Sequence, residues 1–309
     1  MSRDQDTRDS EGPAHRCGFV ALAGRPNVGK STLLNRILGC KISITSQRPQ
    51  TTRHRILGIK TGPGVQAMYV DTPGLHRDAR RAINRYLNRT AVEALADVDV
   101  IVLVAEGTRW TEEDDLVLER VRAAGRPVIL AINKADRVVD KQTLLPHIQR
   151  LAGRMDFAEI IPLSATRGDN VEVLEAAVQR LLPESPPLYP EDQVTDRSER
   201  FLAAELIREK LFRRLTREIP YGLTVEIERF QEQDGLLRIH GLIWVGKDSH
   251  KAIVIGRGGQ VLKEVGQRAR LEMERLFGRK VHLELWVKVR EGWADDERAL
   301  RSLGYDGEI

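Results

Sequence analysis

Five strand-like apolar runs, four of them nearly unbroken, punctuate the first part of the chain: CGFVALAG (17–24), VQAMYVD (65–71), VDVIVLVAE (98–106), PVILAIN (127–133) and AEIIPLS (158–164). Runs with so few polar positions suit strands covered on both faces, as in the middle of a parallel sheet. Between them, STLLNRILG and VEVLEAAVQRLL repeat their apolar residues at helical spacing. This alternation predicts a three-layer α/β unit with a mainly parallel sheet. The pattern breaks at LLPESPPLYPEDQVTD (181–196), whose four prolines read as a linker. Beyond it the spacing predicts a helix (199–217), strands at 223–230 and 236–245, a helix, a glycine loop, a helix (260–277) and a strand (280–289). That order makes a smaller α+β unit. Trp244 and Trp286 fall in its strands and are expected to be buried. The expected boundaries are a disordered leader at 1–16, a first domain at 17–183, a linker at 184–197 and a second domain with its tail at 198–309.

A length of 309 residues suits two domains. Two cysteines, Cys17 and Cys40, cannot frame a chain of this size with disulfides and fit a reducing compartment. No apolar run reaches the roughly 18 residues of a spanning helix, and residues 1–16 lack the apolar stretch of a secretory signal. Net charge is only +4, too small an excess to prove a nucleic-acid partner, but its distribution is uneven. Arg208–Arg217 holds five basic residues against one acid, and Lys247–Lys280 holds nine against four. Arg208, Lys210, Arg213, Arg214 and Arg217 lie among Leu202, Leu206, Leu211, Phe212 and Leu215. Such a helix is either packed core or a basic face for RNA or an anionic membrane.

GRPNVGKS (24–31) satisfies the phosphate-loop pattern G-x-x-x-x-G-K-[ST], directly after a strand-like run and before a helical one. Backbone N–H groups of Gly24, Arg25, Pro26, Asn27, Val28, Gly29, Lys30 and Ser31, proline excepted, can then converge on phosphates. Lys30 is expected to reach the β- and γ-phosphates, and the Ser31 hydroxyl to ligate magnesium. Asp71, Thr72, Pro73 and Gly74 end the next run. Asp71 is placed for the metal and the Gly74 N–H for the γ-phosphate. In RPQTTRHR (48–55), between these two boxes, Thr52 is the first choice for a second hydroxyl on magnesium, with Thr51 next.

Asn133, Lys134, Ala135 and Asp136 follow a strand and select the base. The Asp136 carboxylate can accept from the ring N–H and the exocyclic amine of guanine together, donors that adenine does not offer on that edge. Asn133 would brace the loop, and the Lys134 stem can lie on the purine. Ser164 and Ala165 follow the last strand, where backbone N–H groups can meet the guanine oxygen. GTP or GDP with Mg2+ is therefore the expected ligand.

VIGRGGQVLKEV (254–265) places Gly256, Arg257, Gly258 and Gly259 between two helical patterns. Glycines there allow close approach of a sugar-phosphate backbone. Ile253, Val254 and Ile255 could form one wall of a base-holding groove, and Lys247, Lys251, Arg257, Lys263 and Arg268 could supply phosphate contacts.

The nucleotide boxes, in this order over about residues 16–183, resemble the translation-factor-like P-loop GTPases. The second unit resembles a type II KH domain. Together they are similar to the bacterial ribosome-assembly GTPases that carry a C-terminal KH domain. That resemblance implies a three-layer P-loop GTPase domain followed by an α+β type II KH domain. It implies a monomer that hydrolyses GTP, binds the 3′ end of small-subunit (16S) rRNA and acts in 30S assembly. It also implies a cytoplasmic location with peripheral contact at the inner membrane. Leu75 stands where Ras-like members carry the water-orienting glutamine, so a slow intrinsic rate is expected. Relatives with an apolar residue there often have a P-loop asparagine that ligates potassium, and Asn27 either does this or braces the loop. The expected catalytic set is Lys30, Thr52, Gly74 and Asn27. Two other readings stay open: a membrane-docked signalling switch, and the GTPase partner of an RNA-modifying enzyme.

Overall fold

The computed structural model describes residues 15–46, 48, 51–74, 82–216, 219–302 and 305; the leader through residue 14, Leu75 and Arg217 lie outside them. The first unit runs β1 (Arg16–Ala23), α1 (Lys30–Leu38), β2 (Ile56–Gly62), β3 (Val65–Asp71), α2 (Ala82–Ala96), β4 (Val100–Glu106), α3 (Glu112–Ala124), β5 (Val128–Asn133), α4 (Leu144–Ala152), β6 (Glu159–Pro162) and α5 (Val171–Leu181). Its sheet order is β2-β3-β1-β4-β5-β6, parallel except for β2.

The apolar runs are long because both faces of the sheet are covered. Val20, Leu22, Val100, Val102, Val104, Ile129 and Ala131 pack toward α1 and α5. The alternate residues Ala21, Ala23, Ile101, Leu103, Ala105, Val128, Leu130 and Ile132 pack toward α2, α3 and α4. All of the phosphate- and base-box residues stand at the carboxyl ends of these strands, where open α/β sheets place ligands.

The edge strand β2 departs from the sequence expectation, which ran no strand through 56–62. Its apolar residues are few and interrupted by Gly58, and it is held by antiparallel pairing with β3. The segment expected to be a simple linker lies along this edge. Leu188 N and Tyr189 N donate to Gln66 Oε1 at 2.8 and 2.9 Å, and Gln66 Nε2 returns a bond to Tyr189 O. Farther on, Ile59 N donates to Val194 O, and Thr195 Oγ1 donates to Leu57 O at 2.7 Å.

The second unit runs α6 (Glu199–Arg214), β7 (Leu223–Gln233), β8 (Leu236–Val245), α7 (Asp248–Ile255), α8 (Gln260–Phe277), β9 (Lys280–Val289) and a short α9 (Glu297–Ser302). Its sheet is β7-β8-β9, with β7 antiparallel and β9 parallel to β8. One face packs on α6 and α8 through Leu206, Ile207, Leu211, Ile239, Ile243, Ala269 and Met273. The other face is open, which corrects the tryptophan expectation. Trp286 is 42% exposed, and Trp244 is half-buried with its indole N–H on Glu226. Strand alternation decides this: Val245 and Val287 take the inward positions, so their neighbours point out.

The basic helix also departs from the surface-face alternative. Arg208 and Lys210 are buried, and among the described residues of the run Arg213 and Arg214 are about half exposed. Arg208 forms a buried pair with Glu205, and Lys210 pairs with Glu209 and Glu272. The two units meet through this helix and through the tail. Trp293, Ala294, Leu300 and Tyr305 pack against Ala82, Ile83, Tyr86 and Leu87 of α2.

Candidate functional site

A cleft of about 830 Å³ opens where β1, β3 and β5 end, lined by the phosphate loop, by Thr51 and Thr52, and by Gly74, Asn133 and Lys134. The loop path depends on Gly29, whose φ of +106° is in the glycine-favoured region. A Cβ there would stand 2.3 Å from Asn133 Nδ2. Glycine thus lets the phosphate loop touch the base loop directly.

Asn133 laces three boxes together. Its Nδ2 donates to Val28 O at 2.8 Å, and its Oδ1 accepts from Lys134 N at 2.8 Å and Ala165 N at 3.0 Å. Lys134, itself at φ +62°, donates from Nζ to Asn27 O and Glu106 Oε1. The Asp136 carboxyl is held below the usual range, first by the Ser164 hydroxyl and also by Arg167 and Arg137. It is therefore an anion, as pairing with two guanine donors requires. Ala135 and Ala165 supply the backbone of the same pair of loops.

At the other end, Lys30 Nζ lies on the loop carbonyls Gly24 O (2.8 Å) and Arg25 O (3.2 Å). Burial pushes this ammonium down to about 8, partly offset by Asp71. Asp71 Oδ2 accepts from Ser31 Oγ at 2.6 Å and Ser43 Oγ at 2.8 Å, and Thr52 Oγ1 lies 2.9 Å from Ser31 Oγ. Asp71 Oδ1 is buried without a hydrogen-bond partner. A carboxylate oxygen left unpaired in the interior is costly, and three hydroxyls, of Ser31, Ser43 and Thr52, stand at the other oxygen of the same carboxylate. This donor set fits a hard cation such as magnesium, which takes few protein oxygens and completes its shell with water and phosphate. Thr72 donates its hydroxyl to Leu22 O, and Gly74 packs on Pro26 so closely that a Cβ would lie 2.9 Å from it. Leu75 lies outside the described residues. Asn27 is exposed at the cleft with φ +65°.

Sequence reasoning missed three contributors. Glu106, the last residue of β4, bridges Lys134 and Arg25, and Arg25 also pairs with Asp114. A terminal acid on an apolar strand was the available signal. Phe212 and Arg213 of α6 also line the cleft, and nothing in the local sequence connects them to it.

In the second unit, Gly256–Gly259 joins α7 to α8 as a tight turn. Gly258 has φ +59° and open space where a Cβ would stand. Lys247, Arg257 and Lys263 are exposed, Lys251 is half-buried, and Ile253 is 49% exposed beside half-buried Ile255. They lie on α7 and its N-cap, in the glycine turn and in the first turn of α8. Val254 is fully buried in the second core and is not available to a groove wall. Arg268 is turned to Glu264.

Residues 19–134 match the family described as 50S ribosome-binding GTPase, and residues 218–294 match the KH domain. The GTPase Era of Ectopseudomonas mendocina is 60% identical over 96% of this chain and 99% of its own. That of Marinobacter nauticus is 57% identical over 97% and 98%. Among solved structures, a single-residue variant of Aquifex aeolicus Era bound to GDP.AlF4- superimposes with a TM-score of 0.90 at 38% identity, covering 94% of this chain and 99% of its own. An Era complex with MgGDPNP and nucleotides 1506–1542 of 16S ribosomal RNA gives the same score, identity and coverage.

Proposed function

Because this chain belongs to the Era family of GTPases, we propose that it is a GTP-hydrolysing switch that binds 16S rRNA near its 3′ end and acts in 30S subunit assembly. The observation that carries the reading is the lacing of phosphate loop, base loop and Ser164–Ala165 loop by Asn133, next to the unpaired Asp71 oxygen. Two of the family's defining parts follow: a guanine nucleotide with magnesium in the first unit, and RNA on the KH unit. The domain division we infer is 17–183, 184–197 and 198–309, as the sequence suggests, except that Arg16, expected in the leader, is the first residue of β1 and belongs with the first domain. The protein works in the cytoplasm as a monomer.

Ser31, Thr52 and Asp71 would hold magnesium, which when bound neutralises charge on the β- and γ-phosphate oxygens. The chain's own groups do the rest. Backbone N–H groups of 24–31 cradle the phosphates, and Lys30 leaves the loop carbonyls for the β- and γ-oxygens. The Gly74 N–H meets the γ-phosphate. Asp136 selects guanine, Lys134 covers the base, and Asn133 with Ser164 fixes the loop that presents Asp136. Leucine at 75 cannot orient water, so turnover is slow, and Asn27 is the candidate ligand for a potassium ion that adds positive charge beside the phosphates.

For RNA, Gly256–Gly259 admits the sugar-phosphate backbone, Lys247, Lys251, Arg257 and Lys263 meet phosphates, and Ile253 and Ile255 wall the bases. Burial of Arg208 and Lys210 in ion pairs removes two of the five basic residues of the face that a membrane-docked reading needs. GTP favours the RNA-accepting state, and reciprocity requires RNA to tighten GTP by the same factor. Fluorescence polarisation tests this with a 3′-terminal 16S oligonucleotide and a scrambled control, each with GTP analogue, GDP and no nucleotide at fixed salt. Specific binding strengthened by the analogue is expected. Equal weak binding of both oligonucleotides in all states would refute the RNA half of the proposal.

A further inference from the structure

The nucleotide cleft is not built by the GTPase unit alone. Loop 41–55, which carries Thr52, is held to the KH unit at three places. Arg53 donates from Nη1 to Leu223 O at 2.8 Å and from Nη2 to Pro220 O and Tyr221 O at 3.2 Å. Thr51 O accepts from Arg208. The third contact is centred on Glu209 of α6, whose side chain is 0% exposed.

Glu209 uses both oxygens. Oε2 accepts from Lys41 Nζ at 2.6 Å and Lys210 Nζ at 2.8 Å. Oε1 accepts from Thr45 N at 3.0 Å and Arg213 Nη2 at 2.9 Å. Arg213 then reaches the Thr45 hydroxyl at 3.0 Å and the Thr45 carbonyl at 3.2 Å. Lys41 and Lys210 both continue to Glu272 of α8, the helix that begins at the glycine loop. Three cations and a backbone N–H thus satisfy one buried carboxylate, which is the condition under which a buried charge is tolerated.

The same short segment ends at the metal side of the cleft. Asn35 Oδ1 accepts from Ile42 N and Ser43 N, and Ser43 Oγ donates to Asp71 Oδ2 at 2.8 Å. Thr45 is two residues further on. Residues 42–45 are therefore pinned by α1 and Asp71 at one end and by the KH unit at the other. If α6 moves off, Glu209 loses Lys41 and Thr45, and the segment keeps only its anchors on Asn35 of α1 and on Asp71.

Building on the GTPase reading above, we propose that Glu209 of the KH unit is a positioning residue of the nucleotide site, holding segment 41–45 so that Ser43, Asp71 and Thr52 keep their mutual spacing. The KH unit then contributes to nucleotide retention and turnover without touching the nucleotide through this residue. Its attachment, and not RNA contact as such, is what the GTPase unit reads.

The test uses full-length protein with Glu209→Gln and, from the opposite side of the contact, Lys41→Gln, whose side chain is 28% exposed and so is compatible with folding. Four quantities are read well below each variant's melting temperature: kcat and KM for GTP, release rate of fluorescent GDP, half-saturating Mg2+, and amide exchange across 42–46. Both variants are expected to release GDP about tenfold faster and to need several-fold more Mg2+. They should also lose kcat more than they raise KM, with faster exchange at 42–46 but not at 24–31. A residue that only stabilised the fold would lower the melting temperature and leave these quantities unmoved. If wild type hydrolyses GTP while both variants match it within about twofold in turnover, release and Mg2+ dependence, the inference is overturned. A wild-type chain that neither binds nor hydrolyses GTP would overturn the GTPase reading, and this inference with it.

Discussion

Asn133 shows how much can depend on one side chain. Replacing it with alanine removes its bonds to Val28 O, Lys134 N and Ala165 N together. Leaving buried backbone groups unpaired should cost about 3 kcal/mol of stability and weaken GDP binding at least tenfold. A melting curve and a fluorescent-nucleotide titration check both. Glu209 makes a prediction in pH. Burial pushes its carboxyl up, but hydrogen bonds from Lys210 and Lys41, the Lys41 charge and the Thr45 N–H outweigh this and hold it at about 2. A folded value below the unfolded one means the group stabilises fully above about pH 4.5. That contribution, up to about 3 kcal/mol, is lost as pH falls toward 2. The melting-temperature gap between wild type and Glu209→Gln should therefore be wide at pH 7 and shrink steadily below pH 4.5. The nucleotide residues were legible because a phosphate loop and a guanine-reading acid demand fixed residue types at fixed spacing. Glu209 was not. One acid inside a basic run looks like a diluted surface charge until the helix face it occupies is known.

At the scale of elements, the buried strands of the parallel sheet could be read directly, since covering both faces demands unbroken apolar sequence. β2 could not, because ILGIKTG is a short run broken by Gly58 and Lys60, and its place is set by pairing with β3 on one edge and with the 194–195 stretch on the other. Helix α6 was legible as a helix but not in its orientation: its arginine and lysine at 208 and 210 are core ion pairs, and leucines alone did not reveal that. The tryptophans teach the same lesson in a strand. Their size suggested the core, while the two-residue period already placed Val245 and Val287 inside. The turn between α7 and α8 gives an element-level prediction. Arg257 is exposed at its tip, so Arg257→Gln should weaken RNA binding across sequences and lower the slope of log affinity against log salt by about 0.7–1. Polarisation titrations between low and moderate salt would show it, and an unchanged slope would remove Arg257 from the phosphate contacts.

The whole molecule is organised by contacts that no single unit contains. Tyr305 is 3% exposed, stacks on His54 at 4.6 Å between ring centres, and reaches Arg53 and Thr224 through its hydroxyl. It also meets Tyr86 of α2 edge-on. Tyr305→Ala should cost about 3 kcal/mol and split one calorimetric transition into two as the units uncouple. Such a tail contact is invisible in sequence, because its partners on the GTPase unit are more than two hundred positions away. The strap along β2 has a consequence of its own. The chain is bonded to the sheet as far as Thr195, and α6 begins at Glu199. Only three residues separate this tie to the sheet from the helix, and one of them, Arg197, is itself bonded to Arg55 O, so the free reach is at most about 10 Å, where an unattached 184–197 stretch would span about 49 Å. The KH unit is thus mounted on a swivel and not on a tether. When α6 leaves its seat it can turn but cannot drift away, so its effective concentration beside loop 41–55 stays high, and reseating is limited by orientation and not by search.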